Sequence, residues 1–270
     1  MIALGLLALA GCTRRTNAPS VHFAEALPAE EQWAEIPFRW RYTFGLPRYR
    51  SGVYDLTDVQ RTRRRFVTDA KDFLRTRVER FDTTSYTFVV QEKGGLRSRV
   101  TAHFAHTSDM EHPVVIGSRV EGDRDIVLEE TYSSRFEIIV DGDSAGRWTV
   151  EVISRAGQRV PDSLTYSARL VREGRALGVT FLTPAGPAGS RPVSQPAFWS
   201  GARGFLLLEQ NRPLAAVQYV GSGILGGNDI RAWLPEGLVR RERLERTTLM
   251  MVMLVSSSRD MHTREHRVGN

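Results

Sequence analysis

The densest group of side chains that could bind a metal ion lies within one short stretch of the chain. It consists of His103, His106, Asp109, Glu111 and His112. Zinc sites need three or four such ligands converging at about 2.0–2.2 Å. If the stretch is a strand, residues 103 and 106 point to opposite faces. We therefore expect histidines of a loop and turn here, and we keep a metal site formed by the three histidines as the alternative hypothesis.

Other signatures of catalysis or cofactor binding are weak. The many serines include no Gly-x-Ser-x-Gly nucleophile elbow. The segment Gly221-Ser-Gly223-Ile-Leu-Gly226 has the spacing of a dinucleotide-binding loop. That loop works only when a helix follows it, whereas the next residues have the pattern of a strand. The sequence thus predicts no cofactor and a non-enzymatic binding or structural role, with a periplasmic hydrolase or metal-dependent enzyme as the alternative.

The longest irregular stretch, residues 183–201, contains two adjacent aromatic residues, Phe198 and Trp199. Long loops are either functional or simply mobile. These two side chains are a candidate contact with a partner, or they pin the loop to the core.

The chain begins with an uncharged apolar run that ends in Leu9-Ala10-Gly11-Cys12, and Cys12 is its only cysteine. This tetrapeptide resembles the lipobox of bacterial lipoproteins. The resemblance implies a thioether between Cys12 and diacylglycerol, cleavage before Cys12 and acylation of the new amine. The run is too short to cross a bilayer, which needs roughly 20 residues, but it fits the apolar core of a signal peptide.

The resemblance also implies a location. In Gram-negative lipoproteins an acidic residue after the cysteine retains the protein at the inner membrane, and here Thr13 follows. The expected place is the bacterial cell envelope, at the periplasmic face of the outer membrane, with the acyl anchor in membrane lipid. A signal peptide normally carries Lys or Arg before its apolar core, whereas Met1 leads straight into Ile2. Either the true start lies upstream of Met1, or the protein is not exported in this way.

The composition limits the choice of partner. Hydrophobic residues make up 41% and charged residues 25%, as in an ordinary soluble globule. The net charge of +6 is nearly all arginine and is interleaved with acidic residues, the densest basic cluster being residues 61–65. Nucleic-acid binding needs basic side chains gathered on one surface, so we expect no nucleic-acid partner. The remaining candidate partners are an envelope protein, a lipid and a polysaccharide.

The division of the chain into segments follows from the positions of its prolines and turn residues and from the spacing of its apolar residues. Residues 1–11 are the expected signal peptide and residues 12–40, interrupted by prolines, a tether. Residues 41–256 are expected to form a single β-rich domain, and residues 257–270 a polar tail.

The pattern of residues 57–80 predicts an amphipathic helix. Thr57 and Gln60 have the spacing of a capping box. Apolar residues then recur at the i, i+3, i+4 and i+7 positions that place them on one helical face. We expect this helix to pack against the domain.

From residue 83 the apolar period changes to two, as in Tyr86, Phe88 and Val90. Turn residues separate about eleven such segments, which is typical of an antiparallel barrel or sandwich. A final helix is expected at about 236–256. Its residues 249–255 are apolar on every side, which predicts burial on every side. The fold class is therefore α+β and mostly antiparallel β: an eleven-stranded barrel or sandwich with an N-terminal amphipathic helix and a buried C-terminal helix.

The order of these elements over residues 130–255 resembles the tubby C-terminal-like fold, in which a closed antiparallel barrel surrounds an apolar C-terminal helix. The resembling segments are Ala215-Ala-Val-Gln-Tyr219, then Arg231-Ala-Trp-Leu234, then an arginine-studded entry into the last helix. Members of that fold bind membrane lipids or serve as structural modules, so the resemblance implies one of these roles. The family's lipid-binding residues cannot be placed on this sequence.

Overall fold

The described residues form twelve β-strands followed by one helix. The computed structural model describes residues 27–28, 30–43, 46–71, 75–93, 95–113, 126–141, 146–156, 165–182, 203–219 and 230–268. The elements are β1 Trp33–Thr43, β2 Leu46–Ser51, β3 Tyr54–Lys71, β4 Arg75–Glu92, β5 Arg97–Pro113, β6 Ile126–Val140, β7 Trp148–Ala156, β8 Thr165–Arg172, β9 Arg175–Leu182, β10 Arg203–Glu209, β11 Arg212–Tyr219, β12 Ile230–Pro235 and α1 Arg240–Val268. The predicted antiparallel β fold with a C-terminal helix is confirmed.

Every strand pairs antiparallel with the strands before and after it in the chain. In addition, β1 pairs with β12, from Trp33 opposite Pro235 to Phe38 opposite Ile230. The pairing therefore runs through all twelve strands and returns to its start. We refer to this arrangement as the ring.

The interior of the ring is filled by alternate side chains of the strands and by α1. The largest side chains that are fully buried include Tyr86, Phe88, Phe136, Trp148 and Phe205. In α1, every residue from 247 to 256 is buried, so the prediction that residues 249–255 are enclosed on all sides is confirmed. Among the described residues, no helix is long and apolar enough to span a membrane.

Four strands are much longer than the others. β3, β4, β5 and β6 have 15 to 18 residues each, whereas the remaining strands have 6 to 11. They continue beyond the last residue that each contributes to the core cluster. We call this extension the arm: residues 60–71, 75–85, 105–113 and 126–135.

The amphipathic helix predicted over 57–80 is wrong. These residues form most of β3 and the start of β4, which pair with each other from Tyr54 opposite Glu92 to Lys71 opposite Thr76. In a helix, Arg61 and Arg65 would lie one turn apart and repel each other. In the hairpin Arg63 pairs with Asp82, Arg61 lies over the Tyr86 ring, and Phe66 stacks on Phe81 across the strand pair.

Two boundaries also differ from expectation. The end of the predicted tether, residues 33–40, forms most of β1, because its alternating apolar residues complete the ring against β12. The helix begins at Arg240 rather than at 236, and its backbone continues through the predicted polar tail to Val268. A helix anchored over its buried half can extend with polar residues, since propagation costs little once a helix has formed.

A candidate binding groove at the root of the arm

The outer face of the sheet carries a groove of about 680 Å³ where the arm leaves the ring. It crosses five neighbouring strands, β3 to β7. Its lining consists of Thr62, Arg64, Thr83, Ser85, His103, Phe104, Ala105, Ser133, Ser134, Arg135, Glu151 and Ile153. The groove is a surface feature, since α1 occupies the interior of the ring.

The strand register explains why these residues meet. Two rows of directly opposed residues run across the five strands. One row is Thr62, Ser85, His103, Arg135 and Glu151, and the other is Arg64, Thr83, Ala105, Ser133 and Ile153. Alternate residues of a strand share one face, so both rows point outward. The site is thus built by register rather than by a loop, which holds its side chains on rigid elements.

The middle of the groove is small and polar. Thr83, Ala105 and Ser133 form the centre of the second row, and the hydroxyl groups of Thr83 and Ser133 can both donate and accept hydrogen bonds. The larger groups lie beside them. Arg135 lies between two carboxylates, with Nη2 3.6 Å from Glu137 Oε1 and Nη1 3.8 Å from Glu151 Oε1. Arg64 makes no ion pair with any residue that the structure describes.

The electrostatics of the groove favour anions. Arg64 and Arg135 supply two positive charges, and Glu151 supplies one negative charge. The charges of these three side chains sum to +1. Guanidinium groups bind carboxylates and phosphates through paired hydrogen bonds, so these two side chains are the natural anion contacts.

His103 lies in the groove and contacts a serine. Its Nδ1 is 2.9 Å from Ser85 Oγ, the residue directly opposite it on β4. A serine within hydrogen-bond distance of a histidine is the minimal arrangement of a nucleophile and its base. This pair is the one feature of the groove that suggests chemistry rather than binding.

His106 lies on the opposite face of β5, as its spacing from His103 predicts. Its Nε2 is 2.7 Å from Glu130 Oε1, and the Tyr132 hydroxyl donates to the same oxygen. The His106 and Tyr132 rings stack with centroids 4.2 Å apart. The Glu130 side chain is 7% exposed. A carboxylate that is nearly buried costs little only when its hydrogen bonds are satisfied, and these two neighbours contribute to that.

The hypothesis of a metal site at His103, His106 and His112 finds no converged set of ligands. His103 and His106 are on opposite faces of the sheet, and the backbone of His112 pairs with Thr76 at the end of β5. Within the ranges that the structure describes, no group of three His, Cys, Asp or Glu residues is placed to hold a metal ion.

Several predicted sites lie outside the described residues. These are the lipidation site Cys12, the candidate contact residues Phe198 and Trp199, and the glycine-rich segment 221–226. They stay predictions from the sequence.

A second polar cluster lies where α1 enters the ring. The buried Glu245 accepts from Arg172 Nη1 at 2.8 Å and from Arg175 Nη1 at 3.4 Å. Arg175 also donates to Glu209, and this hydrogen bond lowers the pKa of the Glu209 carboxyl. The guanidinium groups of Arg172 and Arg175 lie over the Trp148 ring, 5.1 and 5.5 Å from its centroid. The cluster therefore fixes the entry of the helix.

Sequence reasoning found only His103 of the groove. The other side chains belong to five strands, and their alignment depends on register, which a single strand's pattern does not reveal. The prediction of a helix over 57–80 also removed β3, and with it Thr62 and Arg64, from the sheet. The one available signal was the outward series of small polar residues on β4, β5 and β6.

Comparison with known proteins gives no match. No protein-family model matches the chain, and it has no significant similarity to a curated protein or to a solved structure.

Proposed function

We propose that the protein is a lipid-anchored protein of the bacterial cell envelope that binds an anionic polysaccharide in the outer groove. Its role is binding rather than catalysis. The observation that carries the proposal is the groove itself, in which hydroxyl groups, His103 and two arginines line a surface held by five strands. Sugar hydroxyls pair with side chains that both donate and accept, and sugar carboxylates pair with guanidinium groups.

The fold favours a ligand site on the outer face of the sheet rather than in its interior. The pairing of β1 with β12 and the burial of α1 favour a closed barrel over a sandwich, and this is the arrangement of the tubby C-terminal-like fold that the sequence resembles. In such a barrel the helix takes up the space in which other barrels hold a ligand.

The anchor rests on the lipobox resemblance alone. Two or three acyl chains at Cys12 would hold the protein stably, whereas a single chain binds a membrane only marginally. Metabolic labelling with a fatty acid tests this part. We expect label in the wild-type protein and none in Cys12→Ser, and equal labelling of the two would refute the anchor.

A bulky side chain placed in the groove tests whether the groove is the binding site. Ala105 lies at its centre and Thr107 lies two residues further along the same outer face of β5. We expect Ala105→Trp to weaken binding of oligogalacturonate at least about tenfold, while the matched variant Thr107→Trp binds as wild type does. Isothermal titration of the full-length protein in detergent measures both.

The methyl ester of the same oligosaccharide tests the charge. It keeps the sugar hydroxyls and loses the carboxylates, so it should bind at least about tenfold more weakly. If it binds equally well, the ligand is not recognised as an anion. If neither form binds to the wild-type protein, or if Ala105→Trp binds as tightly as wild type, the polysaccharide proposal is wrong.

The Ser85–His103 contact supports a second candidate, a periplasmic hydrolase. Two observations weigh against it. Within the described residues no carboxylate hydrogen-bonds to His103 to orient it. The backbone around Ser85 is also paired on both sides, with β3 and β5, so its N–H groups are not free to form an oxyanion hole.

A fluorophosphonate probe, which reacts with activated serines, separates the two candidates. Binding alone predicts the same low labelling in wild type and in Ser85→Ala. Labelling of the wild-type protein at Ser85 that disappears in Ser85→Ala would establish the hydrolase instead.

A further inference from the structure

One edge of the arm is open. β2 pairs with β3 only at Arg50 opposite Asp55 and Ser51 opposite Tyr54, whereas β4 pairs with β3 along nearly its whole length. Within the described residues, β3 therefore has no neighbour on its β2 side from residue 56 onward. Every second residue of such an edge directs its N–H and C=O groups outward.

A bulge separates this edge from the ring. The register between β3 and β4 shifts between Thr57 and Gln60, and Asp58 between them has a φ of 54°. A bulge bends its strand and increases its twist. The remainder of β3 is thereby directed along the arm and away from β2.

The open edge is strongly basic. All side chains from residue 61 to 68 are exposed, and four of the first five are arginines: Arg61, Arg63, Arg64 and Arg65. Arg61, Arg63 and Arg65 share one face, since alternate residues do so. Arg63 is paired with Asp82, whereas Arg65 makes no ion pair with any described residue. No acidic residue occurs between residues 59 and 68.

The hydrogen-bonding groups and the positive charge of the edge indicate which kind of molecule can bind there. An edge presents alternating donors and acceptors, which another polypeptide strand matches and a phosphodiester backbone, with acceptors only, does not. A second copy paired antiparallel about the same residues would place one arginine run beside the other, which is unfavourable. The complement of this edge is an extended chain with acidic side chains.

We propose that the open edge of β3 binds an extended acidic segment of a partner protein by adding it to the sheet as a further strand. Acidic side chains at alternate positions of that segment face Arg61, Arg63 and Arg65. This site is distinct from the groove, which uses the other face of β3.

The experiment uses short fluorescent peptides and the full-length protein. The test peptide alternates glutamate with threonine, and the matched control has the same composition with its glutamates gathered at one end. We expect the alternating peptide to bind at least about tenfold more tightly than the control. We also expect Arg61→Glu/Arg65→Glu to weaken its binding at least about tenfold. Arg99→Glu/Arg155→Glu, which reverses two exposed charges elsewhere on the sheet, should bind as wild type does.

Methylation of alternate backbone nitrogens tests strand addition directly. It removes the N–H groups along one edge of the peptide and should abolish binding when these face β3, while methylation of the other set should be tolerated. Equal binding of both methylated peptides, or of the clustered and alternating peptides, would show attraction by charge alone and overturn the proposal. Failure of the alternating peptide to bind, or tighter binding of duplex DNA, would overturn it as well.

Discussion

The ring and the arm are built from the same strands but are stabilised in different ways. In the ring, inward side chains of the strands share one core cluster with α1, and side chains such as Phe136 and Val150 are completely buried. In the arm, β3 and β4 carry Phe66 and Phe81, which are 61% and 41% exposed, and only isolated apolar side chains such as Val78 and Met110 are buried. The β3–β4 pairing is unbroken from Gln60 to Lys71, so the difference does not come from the hydrogen bonds.

The difference shows what burial contributes. Backbone pairing alone gives a strand its shape, whereas apolar area removed from water gives the fold most of its free energy. The ring can therefore carry the stability of the domain while the arm presents side chains to a partner. Substitutions that are chemically alike should have unequal effects in the two regions.

The largest effect is expected inside the ring. Val252→Asp places a charge at the centre of α1, where strands surround the helix and no path leads to water. An unpaired buried charge costs several kcal/mol, which is comparable to the total stability of about 5–15 kcal/mol for a domain. We expect the protein to be largely unfolded in the absence of denaturant, as measured by circular dichroism. Arg243→Asp, on the exposed start of the same helix, is the control and should retain a near wild-type urea midpoint.

Truncation of one phenylalanine in each region compares them directly. Phe136→Ala removes a fully buried ring and should lower the free energy of unfolding by about 3–5 kcal/mol. Phe66→Ala removes an exposed ring that, within the part of the chain the structure describes, stacks only on Phe81, and should cost at most about 1 kcal/mol. Urea denaturation measures both. Similar losses at the two positions would mean that the arm is covered in solution.

A smaller effect is expected at the entry of α1. Glu245→Ala deprives Arg172 and Arg175 of a carboxylate in a nearly buried site, and should cost about 1–3 kcal/mol. Arg240→Ala breaks a pair with Glu92 whose arginine is exposed, and should cost less than Glu245→Ala does. Thermal denaturation of both variants tests the ranking. The reverse order would mean that the cluster does not fix the helix.

The smallest effect depends on pH. The hydrogen bond from Arg175 lowers the pKa of Glu209 in the folded protein below its ordinary value of 4.5. The pair therefore stabilises the fold above that value, and its contribution is lost as the pH falls through the lowered pKa. We expect Glu209→Gln to be slightly less stable than wild type at pH 7, with the difference vanishing in acid. A difference that stayed constant down to pH 3 would contradict this; Glu236→Gln, in an exposed turn, controls for the loss of one carboxylate.

The sequence predicted the structure of the ring better than that of the arm. The buried helix could be predicted because residues 249–255 leave no polar face, and only complete enclosure satisfies such a segment. Ring strands such as Trp148–Ala156 could be predicted because one of their faces is buried, which imposes an apolar period of two.

The arm could not be predicted in this way. Residues 61–68 are exposed on both faces, so their sequence carries no burial pattern, and the spacing of Val59, Phe66 and Val67 matched a helix by coincidence. The groove was missed for a related reason, because its residues come together only through the register of five strands.

The pairing of β1 with β12 has a consequence for how the protein is made. Trp33 meets Pro235, and the helix that fills the ring is the last element of the chain. A polypeptide leaving the ribosome or a translocation channel presents β1 long before β12 has been made. The β12 side of β1 therefore stays unpaired until the end of the chain emerges. Closing so long a loop has a high entropic cost, so we expect this pairing to form late in folding. A product that terminates before residue 230 lacks both β12 and α1, and it would expose the apolar inner face of every strand already made.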